Sequence, residues 1–189
     1  VFRMGKLVSK PFNCKNPKVI DYAWGNKKSD LLDIWLSAHC AFCITTGSGP
    51  DAVSEIYRKP TLIINNLPLG GWSTFAHTIL CPKNLVWKKN KKLLSLKEYL
   101  ENDYYHSEKY SQNGVEIVNL ESSEIKEVVL EMEKRTTGRW EEKLEDKKMY
   151  EKVWKLYKKW NSFSKYHNFI HPEAKISTVF LRSKPNWVD

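Results

Sequence analysis

The stretch AFCITTGSGPDAVSEIYRKPTLIINN, residues 41–66, decides how the chain is read. An apolar run, Ala41 to Thr46, ends in Gly47-Ser48-Gly49. A short amphipathic segment follows, and then a second apolar run, Thr61 to Asn65. The first run is apolar almost throughout, as a strand covered on both faces should be. Pro50 suits a helix start, and Pro60 stops the segment. Its expected inner face is Ala52, Val53, Ile56 and Tyr57. A helix of about nine residues is roughly 13 Å long and matches a five-residue strand, so the whole reads as a tight βαβ crossover. Its glycine turn has two readings, a chain reversal or a cradle for phosphate. Glycines let backbone N–H groups approach an anion, a helix start favours negative charge, and Ser48 adds a hydroxyl. Pro50 and Asp51 count against the cradle, one by removing an N–H and the other by its charge.

Upstream, Val1–Gly5 and Val19–Ala23 read as two more strands, separated by a segment broken at Pro11 and Pro17. Ser29 is placed to cap a helix with Asp30 in its first turn. Leu31, Ile34, Trp35 and Ala38 follow at the spacing of one buried face. Strands alternating with helices indicate a parallel sheet, whose ligands bind beyond the C-terminal strand ends. That edge would carry Gly5, 21–24, 45–49 and 65–71. Arg3 would sit there too, paired with a phosphate or with Asp21. Asn66 would bond a ribose or sugar, or cap its own turn.

Residues 66–87 are long, aromatic and Gly-containing, and read as a functional loop. Lys83 within it is a candidate to neutralise phosphate. The five histidines, His39, His77, His106, His167 and His171, are scattered, and His77 is the one singled out as an acid or base. Lys88–Lys92 reads as a solvated basic turn, and Gly114–Val118 as a fifth strand. Ile125, Val128, Val129 and Met132 form one helix face. A helix over 140–160 carries Tyr150, Val153, Trp154, Tyr157 and Trp160 as core. The expected domains are a Rossmann-like unit over 1–135 and a C-terminal helical extension over 136–189.

The chain has 189 residues, 41% of them hydrophobic, which is the composition of a globular protein. The net charge of +9 points to anionic partners or to a solvated surface. Of the four cysteines, Cys40 and Cys43 form a lone C-x-x-C with no second pair, so free thiols are expected and no metal. No apolar run reaches the length of about 18 residues that a membrane span needs.

The stretches RMG, VIDYA, KSDLLDIWLSAHCAFCITTGSG, PTLIINNLP and FLRSKPNW together resemble the C-terminal half of a family of bacterial glycosyltransferases linked to surface polysaccharides. The resemblance runs from Phe2 to Trp187, with gaps in the lysine-rich middle. It implies a partial GT-B architecture: the C-terminal, donor-binding one of two Rossmann-like domains. Gly47, Ser48 and Gly49 would then be the phosphate contacts, with Thr46 beside them. The implied partners are a nucleotide-sugar donor, a glycan or glycolipid acceptor, and an N-terminal domain outside this chain. No cofactor is implied beyond the nucleotide-sugar substrate, and no nucleic acid. The expected location is the cytoplasm, at the inner face of the membrane in one version of the reading. Aromatic surface left open by the other domain is expected at Phe180–Trp187 and at Trp154 and Tyr157. A nucleotide-sugar epimerase of the same architecture, or a non-enzymatic basic module that binds RNA or an anionic membrane, are the alternatives.

Overall fold

The computed structural model describes residues 1–102, 104 and 108–189. Two compact units make up the chain, Val1–Cys40 and Ala41–Asp189. The boundary expected after residue 135 falls inside the second unit.

In the first unit the two expected strands reduce to one parallel bridge, between Phe2 and Ile20. Arg3 N–H donates to Ile20 O at 2.9 Å and Ala23 N–H to Arg3 O at 2.8 Å. Turns follow at once at residues 22–27, so the ladder has no room to extend. Ser29 does cap helix α1 (Asp30–His39), its hydroxyl accepting from Leu32 N–H at 3.2 Å. The expected inner face is not buried as a stripe. Ala38 is buried, while Leu31 and Trp35 are 77% and 52% exposed.

The second unit is α/β. Its strands are β1 (Cys43–Thr45), β2 (Thr61–Asn66), β3 (Thr78–Pro82), β4 (Asn84–Trp87), β5 (Val115–Val118) and β6 (Lys175–Ile176). Its helices are α2 (Asp51–Ile56), α3 (Leu96–Glu101), α4 (Glu108–Gln112), α5 (Ser122–Thr136), α6 (Leu144–Lys159), α7 (Phe163–Tyr166) and α8 (Thr178–Ser183). Four strands form one parallel, Rossmann-like sheet in the order β1-β2-β3-β6. Cys43 faces Thr61, Leu62 faces Ile79, and Leu80 faces Ile176. The two central strands carry Leu62, Ile63, Ile79 and Leu80, all buried. Each such side chain contributes about 1.5–3 kcal/mol by leaving water.

Three expectations need correction. β1 is a sheet edge and not a doubly covered strand: Thr45 is buried, but Ile44 is exposed. Residues 66–87 are not one long loop, because they hold a 3-10 turn (Leu69–Gly71), β3 and β4. Finally, 136–189 is no appendage, since it supplies β6 to the sheet. The fifth expected strand exists as β5, but it pairs antiparallel with β4 in a separate ribbon.

α5 is roughly 22 Å long, enough to cross the sheet from one strand edge to the other. At its head, Leu120 N–H donates to the Asn65 side chain at the C-terminal end of β2, at 2.8 Å. α8 runs antiparallel to it: Glu131 bonds the start of α8, and Glu124 pairs with Lys184 just past its end. α6 packs its inner face, Tyr150, Val153 and Tyr157, into the core. Tyr157 Oη donates to Leu69 O at 2.8 Å, while Leu69 N–H donates to Tyr99 Oη at 2.9 Å. The aromatic groups expected at an open surface are instead core: Tyr157, Phe180 and Trp187 are all buried. Trp154, half-buried, stacks on Trp72 with centroids 6.0 Å apart.

Candidate functional site

β1 ends at Thr45, and its hydroxyl accepts from Gly47 N–H at 3.0 Å. That bond closes the first turn of the loop and occupies one of the N–H groups of the expected cradle. Gly47 and Gly49 have φ of 77° and 98°, the left-handed region that glycine adopts without strain. Gly47 also lies against β2. A Cβ there would sit 3.0 Å from Asn66 Oδ1. Asn66 O in turn accepts from Lys83 N–H, just beyond β3, at 3.4 Å. The loop, Asn66 and Lys83 are therefore gathered at one edge, the C-terminal ends of β1, β2 and β3. The Asn65 side chain adds the head of α5 to the same edge.

Thr46, Ser48 and Gly49 stand exposed beyond this frame, and a Cβ on Gly49 would meet nothing within 4 Å. α2 has six residues rather than nine, and Pro50 at its cap makes no side-chain capping bond. Of its residues Ser54 is buried, whereas Ile56 and Tyr57 of the expected inner face are exposed. An edge strand offers little surface to cover, so a short helix turned on Ser54 suffices. So short a helix has a weak dipole. A bound phosphate would depend on the loop's own N–H groups and on Ser48 and Lys83. The Lys83 ammonium has no ion-pair partner among the described residues.

Arg3 takes the other of its two expected roles. It belongs to the first unit and pairs with Asp21, Nη1 to Oδ2 at 3.1 Å. The Phe12 N–H at 2.6 Å, together with Arg3, holds the Asp21 carboxyl below its usual range, against the opposing effect of desolvation.

Sequence reasoning missed a cavity on the same C-terminal edge, between α5 and α8. Its volume is about 200 Å³. Cys81, Val128 and Phe180 make an apolar floor, and Ser123, Glu127 and Lys184 stand around it. Burial pushes the Cys81 thiol far up, so it stays protonated. Burial works to raise the Glu124 carboxyl, but bonds from Lys184 and from the Glu121 N–H hold it below the ordinary range. The walls of the cavity come from β3, α5 and α8, segments far apart in the chain, so no local pattern marks it.

His77 lies elsewhere. It directly precedes β3, at the N-terminal edge of the sheet, with its backbone O accepting from Thr61 N–H at 2.9 Å. It is not near the glycine loop, because the intervening strand is about 16 Å long. Burial pushes its pKa down; Glu173 pulls it up, and His171, Arg135 and Lys175 push it down. His167 is buried, with Nδ1 3.0 Å from Thr74 Oγ1 and its ring against Tyr157, which is a packing role. His39 stacks on Trp35. His106 lies outside the described residues. No cysteine is in a disulfide among the described residues, and no group of three or more His, Cys, Asp or Glu there is placed to hold a metal. No helix among them is long and apolar enough to cross a membrane.

Comparison of the chain with protein-family models, with curated proteins and with solved structures finds no match.

Proposed function

We propose that the chain is the donor-binding part of a nucleotide-sugar-dependent glycosyltransferase. The observation that carries this reading is the contact of Gly47 with Asn66. It seats a left-handed glycine loop against the end of the neighbouring parallel strand while leaving Ser48 and Gly49 open. Thr46 to Gly49 take the diphosphate, with Ser48 donating a hydroxyl hydrogen bond and Lys83 supplying charge. The apolar slot over Cys81 and Val128 takes the base, and the polar groups around it take the ribose. The acceptor hydroxyl attacks the anomeric carbon as its bond to the diphosphate breaks. N–H donors and Lys83 stabilise the departing negative charge. The exposed Lys147, Lys148, Lys152, Lys155, Lys158 and Lys159 on the outer face of α6 suit contact with an anionic membrane that carries a glycolipid acceptor. Co-sedimentation with anionic rather than neutral vesicles tests that contact.

Calorimetry with a panel of nucleoside diphosphates tests the main reading. The wild type binds at least one of them. Ser48→Ala removes a hydrogen bond to a charged group, worth about 1.5–3 kcal/mol, and so weakens binding about ten- to hundredfold. The melting temperature stays unchanged, since Ser48 is exposed. If Ser48→Ala and Gly49→Ala both bind as well as wild type, the loop is only a turn and the reading fails.

A further inference from the structure

The N-terminal edge of the sheet, on the side away from the glycine loop, exposes large apolar side chains from three segments of the second unit. Ile56 and Tyr57 lie at the end of α2, Phe75 in the loop before β3 and Phe169 in the loop before β6. Their exposures are 77%, 53%, 60% and 61%. Hydrogen bonds tie the three segments together. Glu55, beside Ile56, accepts from the hydroxyl of Ser73, in the Phe75 loop. Thr74 Oγ1 donates to Phe169 O at 3.3 Å, and His171 N–H donates to Thr74 O at 2.7 Å. Thr61 N–H, at the start of β2, donates to His77 O at 2.9 Å. An apolar residue exposed singly needs no explanation, but a group on adjoining segments marks an interaction surface.

The charge around this surface has one sign. Residues 154–172, from the last turns of α6 through α7 to the Phe169 loop, hold four lysines and no Asp or Glu. Residues 56–97, which include the Phe75 loop, hold no Asp or Glu either. Ring contacts and one hydrogen bond hold α6 and α7 against these loops. Trp72 stacks on Trp154, Trp160 stacks on Tyr166 with centroids 5.6 Å apart, and His167 Nδ1 lies 3.0 Å from Thr74 Oγ1. Arg58, Lys158, Lys159 and Lys165 are exposed, and none has an ion-pair partner among the described residues. Glu55 and Glu173, which border these segments, are engaged: Glu55 bonds Ser73, and Glu173 pairs with Lys175 at 3.3 Å.

We propose that this edge docks on an anionic lipid bilayer, with Phe75 and Phe169 inserted among the headgroups and the lysines at the level of the lipid phosphates. Lysine is depleted at protein–protein interfaces. Cations around exposed aromatic rings suit a lipid surface instead, where the rings enter the boundary between headgroups and acyl chains. The ammonium groups meet anionic headgroups there, and the long lysine stems let them stay at the phosphates as the rings go deeper. The surface goes beyond the lysine face of α6, which is a contact of charge alone, and it does not need the glycosyltransferase reading.

The test is flotation of the full chain with vesicles of phosphatidylcholine, with and without phosphatidylglycerol. The wild type floats with the mixed vesicles. Phe75→Ser combined with Phe169→Ser lowers its lipid affinity about tenfold. The melting temperature holds, since both rings are exposed. Phe169→Ser alone serves if the double variant fails to fold. Leu144→Ser, at a site 64% exposed on the first turn of α6, binds like wild type. The inference is overturned if the wild type does not float with mixed vesicles, if folded phenylalanine variants bind like wild type, or if Leu144→Ser loses as much as they do. It is also overturned if light scattering finds a dimer that the phenylalanine variants dissolve, since a second copy then covers the surface. Nucleoside diphosphate affinity, read in parallel, is unchanged in these variants, so this result and that of the loop are separable.

Discussion

The indole of Trp160 fills the space that a side chain at Gly70 would need: a Cβ there would lie 2.5 Å from Trp160 Cη2. Trp160 sits at the end of α6, and Gly70 lies in the 3-10 turn whose Leu69 peptide is held by Tyr99 and Tyr157. Neither partner can retreat easily. Gly70→Ala should therefore destabilise the protein by about 1–3 kcal/mol, the range for overpacking a well-filled core. A urea melt with an unshifted midpoint would show that the indole has room to move.

Glu131 ties two helices together from a fully buried position. Its carboxylate accepts from Ser177 Oγ at 2.6 Å, from Thr178 N–H and Val179 N–H at 3.0 Å each, and from Arg135 Nε at 3.0 Å. It does for α8 what a capping residue normally does from within the same helix. Glu131→Ala leaves the Thr178 and Val179 N–H groups unsatisfied and removes one of the two carboxylates paired with the buried Arg135 guanidinium. The expected loss is about 3–5 kcal/mol, a fall in melting temperature on the order of 10 °C. A variant that melts within a degree or two of wild type would mean that water replaces the carboxylate.

Asp146 sets an acid limit. Its carboxylate, 1% exposed, takes Arg182 Nε at 2.8 Å, Arg182 Nη2 at 2.6 Å and Lys143 N–H at 2.7 Å. Burial works to raise its pKa, but the bonds from Arg182 and Lys143 prevail and hold it below the ordinary 3.8. A carboxyl lowered by folding contributes fully above its unfolded pKa and loses that contribution as pH falls through the folded value. Stability should therefore drop below about pH 4. Asp146→Asn should cost about 1–3 kcal/mol at neutral pH and flatten this acid limb. Melts at pH 7 and pH 3 decide it: an equal loss at both would show that Asp146 does not carry the slope.

The sequence and the structure agree where local chemistry is strong. Ser29 caps α1, α5 buries Val128 and Met132, and α6 buries its aromatic stripe. β2 forms over the apolar run that names it. Agreement fails where tertiary context decides. Thr78–Pro82 was hidden because four apolar residues behind a glycine pair and a histidine look like loop, yet they form a strand buried along its whole length. Two residues of β6 carry no periodicity at all. Glu131 reads as an ordinary solvated helix residue until α8 is placed beside it. At the candidate site, the glycine loop and Asn66 were legible, because left-handed turns demand glycine and sheet edges are reached by counting strands. The slot between α5 and α8 was not, because its walls come from segments far apart in the chain.

The position of β6 also bears on how the chain folds. Roughly ninety residues separate the end of β3 from the strand that pairs beside it, a contact of high sequence separation and high entropic cost. Until Lys175 and Ile176 arrive, β3 presents an unpaired edge lined by Ile79 and Leu80, both buried in the finished fold. A growing polypeptide would hold that sticky margin open while those roughly ninety residues are added, which is the kind of surface that chaperones engage and aggregates propagate from.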